Sequence, residues 1–296
     1  MKKMIALLLT ATMVLSMTAC GSKKEDAAAD SDAAATEDAA TEDAADEDTA
    51  DTESADDTSA ESDLEYVKDK GVLVVGITNF EPMDYKEEDS DEWVGFDADM
   101  AKAFAESLGV EVEFVEIDWD NKIMELDGKT IDCVWNGMTL TDEVTSAMDC
   151  SNAYCNNAQV VVVPADVADQ YQDTDSLKDL AFAVETGSAG ETEVDALGLN
   201  YTPVASQADA LMEVSAKTSD AAVIDLLMAA AMIGEGTDYA NLTHTVELNS
   251  EEYGVGFRKG SDLVSALNDF FAAAYADGSL IACAEKYGVQ DAILEQ

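Results

Sequence analysis

The run Gly128-Lys129-Thr130-Ile131-Asp132-Cys133-Val134-Trp135-Asn136-Gly137-Met138-Thr139-Leu140-Thr141-Asp142-Glu143, continued by Asp149-Cys150-Ser151-Asn152-Ala153-Tyr154, decides how the rest of the chain is read. Ile131 to Trp135 are mostly apolar and β-prone, which predicts a short buried strand. Asn136-Gly137 predicts a turn at its C-terminal end. Thr139 and Thr141 stand where a helix would begin, with Asp142 and Glu143 in its first turn facing the positive end of the helix dipole. A strand that ends in a glycine turn and a threonine-rich helix start leaves backbone N–H and C=O groups free to meet a small ligand.

Working outward, Val72 to Gly76 predict a buried strand, and Met100 to Leu108 predict a helix that Gly109 stops. Val112 to Val115 form a second strand, and Trp119 to Leu126 a short helix before the central run. Strand, helix, strand, helix, strand describes an α/β lobe with a mostly parallel sheet. A second α/β run follows. Gln159 to Val163 form a strand closed by Pro164, and Leu180 to Val184 another, followed by Glu185-Thr186-Gly187-Ser188-Ala189-Gly190 opening a helix. A helix over 208–217, a strand over Ala221–Ile224 and a helix opened by Asp225 complete it.

The 296 residues are 47% hydrophobic, enough for two cores. Net charge is −49, and residues 25–63 carry seventeen Asp or Glu with no Lys or Arg, so about −36 belongs to the body beyond that segment. Such a surface repels nucleic acid and anionic lipid, which excludes both as partners; solubility accounts for the charge. Met1-Lys2-Lys3 and the apolar run to Met17 have the pattern of a secretory signal, too short for a membrane span. Met17-Thr18-Ala19-Cys20 reads as a lipobox in which Cys20 becomes the acylated N-terminus of the mature protein, the alternative being an ordinary signal peptide with an incidental cysteine. Residues 21–63 are low in complexity and expected to stay disordered, an acidic tether spanning roughly 35–40 Å. The remaining cysteines, Cys133, Cys150, Cys155 and Cys283, either pair in one of three ways or stay free. His244 is the only histidine and shows no ligand spacing, so no metal and no cofactor are expected.

The central run resembles the extracytoplasmic solute-binding proteins of polar amino acid ABC transporters. Their signature is matched by Gly128 to Asp132, by Asn136-Gly137-Met138-Thr139-Leu140-Thr141-Asp142-Glu143 and by Met148 to Tyr154. Thr78-Asn79-Phe80-Glu81-Pro82-Met83, Gly95-Phe96-Asp97-Ala98-Asp99-Met100 and Tyr253-Gly254-Val255-Gly256-Phe257-Arg258-Lys259-Gly260 match its other motifs in order, so the resemblance covers about 64–290. One departure stands out: Val144 occupies the place of the arginine that clamps a ligand carboxylate. The resemblance implies a two-lobed type II periplasmic-binding-protein fold, α/β throughout, with the ligand cleft between the lobes. Lobe 1 would comprise 64–157 and 251–296 and lobe 2 would comprise 158–250, with crossings near Asn157 and Ser250.

For the ligand site, the resemblance places Phe80 and Trp119 beside the ligand side chain, where core packing is the alternative for each. Trp135 is either core or pocket wall. Asn136, Gly137 and Thr139 map onto contacts to ammonium and carboxylate. Thr186, Gly187, Ser188 and Ala189 form the opposing loop at a helix N-terminus, suited to an anion, unless Ser188 is only a cap. Asp225 matches the ammonium-binding aspartate, unless it too is only an N-cap. The function implied is capture of a small polar solute, an amino acid or related amine, by a lipid-anchored extracytoplasmic monomer that passes it to an ABC permease. A cyclohexadienyl-dehydratase-like enzyme on the same fold and the sensing subunit of a signalling system are the alternatives. The anchor has a direct check: Cys20→Ser is expected to leave the membrane fraction, and unchanged retention of that variant on fractionation would remove the lipoprotein reading.

Overall fold

The computed structural model describes residues 62–87 and 90–296. The signal-like segment 1–20, Cys20 and the acidic run to Glu61 lie outside the described residues. The expected tether reaches Asp63, but Ser62 and Asp63 already belong to the folded body. Ser62 caps α1 (Asp63–Lys70) by accepting from Glu65 N–H and donates to Asp262.

The chain continues through β1 (Val72–Ile77), a small hairpin of β2 (Tyr85–Lys86) and β3 (Trp93–Val94), α2 (Phe96–Leu108) and β4 (Glu111–Glu116). A 3₁₀ turn over Trp119–Asn121 leads into α3 (Lys122–Asp127), then β5 (Cys133–Thr139), α4 (Asp142–Ala147), β6 (Asp149–Cys150) and β7 (Cys155–Asn157). The second lobe holds β8 (Gln159–Pro164), β9 (Ala181–Glu185), α5 (Ala189–Leu197), β10 (Asn200–Val204), α6 (Gln207–Ala216), β11 (Ala221–Asp225), α7 (Leu226–Met232) and β12 (Leu242–Glu247). Then β13 (Glu251–Phe257), α8 (Leu263–Asp277) and α9 (Ser279–Tyr287) return to the first.

One sheet runs β4-β1-β5-β13-β6, with β7 also on β13; β1, β4 and β5 are parallel and β13 runs against β5. The other runs β10-β9-β11-β8-β12, parallel from β10 to β11 and antiparallel beyond. The chain thus changes sheet between Asn157 and Gln159, and again between Glu247 and Glu251. Strand position follows composition. Val160 to Val163 in the interior strand β8 are fully buried, whereas β4, at an edge, alternates glutamates outward with half-buried Val112 and Phe114. Buried aromatics gather on one face of the first sheet, where Trp135 stands edge-on to Phe271 with centroids 5.5 Å apart and lies 6.3 Å from Phe104.

Two readings of the sequence need correction here. The strand expected to stop at Trp135 runs on to Thr139, so Asn136-Gly137 is no turn. Gly137 takes φ +54 inside the strand, and the ladder to β13 slips between Gly254 and Gly256 to accommodate it. Its N–H donates to the buried Asp97 carboxylate at 2.6 Å, and a side chain there would meet the Phe80 ring at 2.4 Å. The helix expected from Met100 begins at Phe96. Gly95 precedes it, because a Cβ at that position would lie 2.1 Å from the Met83 carbonyl oxygen. Cys133, Cys150, Cys155 and Cys283 are all free thiols.

Arg258, the chain's single arginine, is buried and is not among the residues lining the cleft. It pairs with Asp63 at 3.0 Å and with Asp132 at 3.6 Å, and donates to the carbonyls of Ile131 and Leu126. Lys70 meets the other oxygen of Asp132 at 2.6 Å. Removing one partner of a buried pair strands the other, which costs about 3–5 kcal/mol. Arg258→Leu is expected to lose about 3 kcal/mol in urea unfolding, the low end because Lys70 still pairs with Asp132. A loss below about 1 kcal/mol would show that the cluster contributes little.

Candidate functional site

A cavity is lined by residues on elements of both sheets and on the loops and helices that follow their strands. From the first lobe come Phe80, Trp119, Lys122, Asn136, Gly137, Thr139, Glu143 and Val144; from the second, Glu185, Gly187, Ser188, Ala189, Gln207 and Asp225. The walls stand close together, enclosing about 30 Å³, and Lys122 bridges them by donating to Trp119 O at 3.2 Å and to Gly187 O at 2.9 Å. Nine of the residues singled out in the sequence are therefore brought around one space.

Two are not. Trp135 is fully buried among Phe104 and Phe271, on the side of β5 facing away from the cavity, because the strand's alternation points it inward. Thr186 turns to the outside of its loop, where its N–H and hydroxyl both donate to Val204 O. Several others line the cavity while spending their polar atoms within the protein. Asn136 accepts from Thr78 N–H at 2.9 Å and donates to the Thr78 hydroxyl at 2.7 Å, tying β5 to the loop after β1. Thr139 donates to Glu251 at 2.9 Å. Ser188 accepts from Glu191 N–H at 3.1 Å, which makes it the cap of α5.

Asp225 precedes α7 but does not cap it. Its Oδ1 accepts from Tyr253 at 2.6 Å, from Gln159 at 3.0 Å and from Asn157; its Oδ2 accepts from Gln207, which takes the Asp225 N–H in return at 2.8 Å. Burial, with the nearby Glu251 charge adding to it, pushes the Asp225 carboxyl up to about 8. Glu185, at the end of β9, is likewise pushed up to about 8, first by burial and then by Asp225. Its Oε1 has no hydrogen-bond partner among the described residues.

Sequence reasoning missed Glu185, Gln207, Glu143 and Lys122. Glu185 could have been noticed as an acid closing the apolar strand Ala181 to Val184. Lys122 could have been noticed one helical turn after Trp119, where its ammonium now lies 4.8 Å from the centre of the indole. Burial holds the Lys122 ammonium below its usual range, opposed by Glu143, Glu185, Asp120 and Glu191. The loop at α5 differs from expectation too: Gly187 N–H already donates to the Glu191 carboxylate at 2.7 Å.

The architecture and cleft agree with comparison to known proteins. Residues 73–290 match the model for bacterial extracellular solute-binding proteins, family 3. The chain belongs to that family. It is 29% identical over 230 residues to the L-cystine-binding protein TcyJ of Escherichia coli strain K12, covering 77% of this chain and 86% of that protein. It is 27% identical over 278 residues to the arginine-binding extracellular protein ArtP of Bacillus subtilis strain 168, covering 90% and 91%. Among solved structures, an ancestral amino acid-binding protein, AncCDT-1, described as a precursor of cyclohexadienyl dehydratase, superposes with a TM-score of 0.70 at 31% identity, over 76% of this chain and 99% of that one. The fold is therefore the two-lobed binding-protein architecture, and the family role is amino acid transport.

Two carboxyls held near 8 give the protein a defined response to pH. In the unfolded chain both titrate near 4. Between about 4 and 8 the folded state therefore holds more protons, and stability must fall as pH rises through that window. Asp97, pushed up to about 7 by burial, acts in the same direction. Urea unfolding is expected to give at least about 2 kcal/mol more stability at pH 5 than at pH 8.5. The Glu185→Gln, Asp225→Asn double variant is expected to flatten that dependence. Stability that rises with pH over the same range would contradict the assignment.

Proposed function

We propose that this chain is the extracytoplasmic solute-receiving component of an ABC importer, lipid-anchored at Cys20 and acting as a monomer beside its permease. Its solute is a small amine or amino acid derivative that carries a cation. The cavity's acidic lining, whose buried carboxyls can give up protons to a cation, supports this reading. Glu143, Glu185 and Asp225 line it against a single Lys122, with Val144 where the family keeps its carboxylate-clamping arginine. Family kinship supports the solute class, since relatives are named for cystine and arginine. Closure of two lobes on the solute, with both contributing wall residues, is the transport-competent motion of this architecture.

A free ligand carboxylate fits the cavity poorly. The helix N-terminus that would receive it already holds Glu191's carboxylate on Gly187 N–H and Ser188's hydroxyl on Glu191 N–H. Lys122 spends hydrogen bonds on two carbonyls and sits among four acids. The solute's carboxylate is accordingly absent, masked or read by the remaining backbone amides alone. The kinship with AncCDT-1 raises a dehydratase as the second reading. Prephenate-like acids would bring carboxylates to this acid-rich wall, and His244 lies on β12, away from the cavity lining, so binding is favoured over turnover.

Calorimetry on matched pairs decides the solute class: L-arginine against argininamide and agmatine, and L-lysine against cadaverine. The carboxylate-free partner is expected to bind within tenfold of the acid or tighter, and Val144→Arg to shift preference toward the acid. A free acid that binds wild type tenfold tighter than its partner would overturn the proposal.

A further inference from the structure

Outside the lining of the cleft, the first lobe buries two further acids, Asp84 and Asp97. Asp84 closes the turn that begins at Phe80: Phe80 N–H donates to Asp84 O at 2.6 Å, and Asp84 N–H donates to Phe80 O at 2.8 Å. Asp97 stands in the first turn of α2, and its N–H donates to Met83 O at 3.0 Å, so the two acids meet where turn meets helix. We infer that Asp84 and Asp97 form a proton-binding pair, and that the bound proton locks the Phe80 turn and with it the aromatic wall of the cleft.

Both acids are fully buried. Asp97 Oδ2 accepts from Gly137 N–H at 2.6 Å and from the Tyr154 hydroxyl at 2.7 Å. Its Oδ1 and both oxygens of Asp84 have no hydrogen-bond partner among the described residues. Three bare acceptors on two adjacent buried acids are costly, and two ionised carboxylates there would also repel. The cation that acts on Asp84 is Lys102, but it donates to Trp93 O at 2.6 Å and pairs with Asp99 at 3.3 Å and Glu92 at 3.5 Å. A proton taken from solvent removes one negative charge and adds one donor. Asp97, at the positive end of α2 with two donors on Oδ2, keeps the charge, and Asp84 keeps the proton.

Burial, reinforced by Asp97, holds Asp84 well above the usual carboxylate range, and burial pushes Asp97 up to about 7. The other titratable groups facing the pair are Cys133 on β5, Tyr154, Cys155 on β7 and Cys283 on α9, all pushed up by burial and uncharged near neutrality. Both acids hold protons more tightly in the folded state than in the unfolded one. Their contribution is full below about pH 4 and is lost as pH rises through about 7 and beyond. The lock reaches the cleft by contact. A Cβ at Gly137 would lie 2.4 Å from the Phe80 ring, so the ring rests on the residue whose N–H Asp97 holds. The same turn supplies the Pro82 and Met83 carbonyls that accept from Phe96 and Asp97 N–H, where Gly95 offers α2 no side-chain cap. Loss of the last proton leaves like charges on both sides of this seam. Parting the turn from the helix relieves them and shifts Phe80, so the wall is firm in acid and loosened in alkali.

The test follows hydrogen–deuterium exchange of the Phe80 and Asp84 backbone N–H groups in the intact protein, corrected for the intrinsic pH dependence of exchange. Residues 159–164 of the second lobe serve as the reference for global opening. Relative to them, wild-type protection of the turn is expected to fall at least about tenfold between about pH 6 and pH 9, since one released proton shifts a linked equilibrium up to tenfold per pH unit. Asp84→Asn, whose amide keeps a donor without a charge, is expected to hold that relative protection constant within about threefold over the same range. Difference infrared spectra between the two pH values are expected to lose part of the protonated-carboxyl carbonyl band in Asp84→Asn. A wild-type turn whose relative protection does not fall would overturn the inference, and this measurement needs no variant to fold. An equal fall in Asp84→Asn would overturn it too, as would an unchanged carbonyl band. Protection in Asp84→Asn that is low at every pH would show Asp84 to be a structural residue only and would likewise overturn it.

Discussion

The buried carboxylate of Asp225 is the point on which both lobes converge. Asn157 and Gln159 flank the first sheet-to-sheet passage of the chain, and Tyr253 follows the second; all three donate to Asp225. Asn157 and Gln159 also donate to Glu251, which accepts from Thr139 as well. Two acids and a ring of amides and hydroxyls thus occupy the junction where a two-lobed protein must bend. Full hydrogen bonding is what makes burial of these acids tolerable, and any loss of one donor falls on the others. The arrangement explains why binding residues implied by kinship are engaged within the protein. At this junction they hold the lobes in register.

Much of the architecture was legible in the sequence because it rests on local signals. Apolar runs such as Val160 to Val163 mark interior strands, Gly109 stops a helix, and Thr141 and Ser188 cap helices as their chemistry requires. What stayed hidden depends on partners far along the chain. Gly137 looks like a turn until Asp97 is known to accept its N–H from 40 residues away. Strands β10 and β12 carry polar residues at sheet edges and give little periodic signal. Ser62 and Asp63 resemble the acidic run before them, and only Asp262 and Arg258, some 200 residues later, draw them into the fold.

The cavity followed the same rule. Motif order indicated which loops meet, so Phe80, Trp119, Gly187, Ala189 and Asp225 were found together. Which of their atoms remain free was invisible, since that depends on Gln207 and Glu191, neither of which carries a motif. Lys122 shows the limit most clearly. A lysine in a short polar segment reads as solvent-facing, yet it is buried because the indole of Trp119 and two carbonyls receive its ammonium.

The three tryptophans occupy three different electrical surroundings, and this gives the molecule built-in optical resolution. Trp135 is sealed in an aromatic core, Trp93 lies half-buried under the Lys86 ammonium at 4.5 Å, and Trp119 borders the cleft beneath Lys122. Indole emission shifts with local field and hydration. Only Trp119 has a charged neighbour that also bridges the two lobes, so separation of the lobes changes both factors at that ring and leaves the other two nearly constant. The emission spectrum therefore resolves into a fixed background and one cleft-dependent component, a native reporter of opening that needs no attached dye.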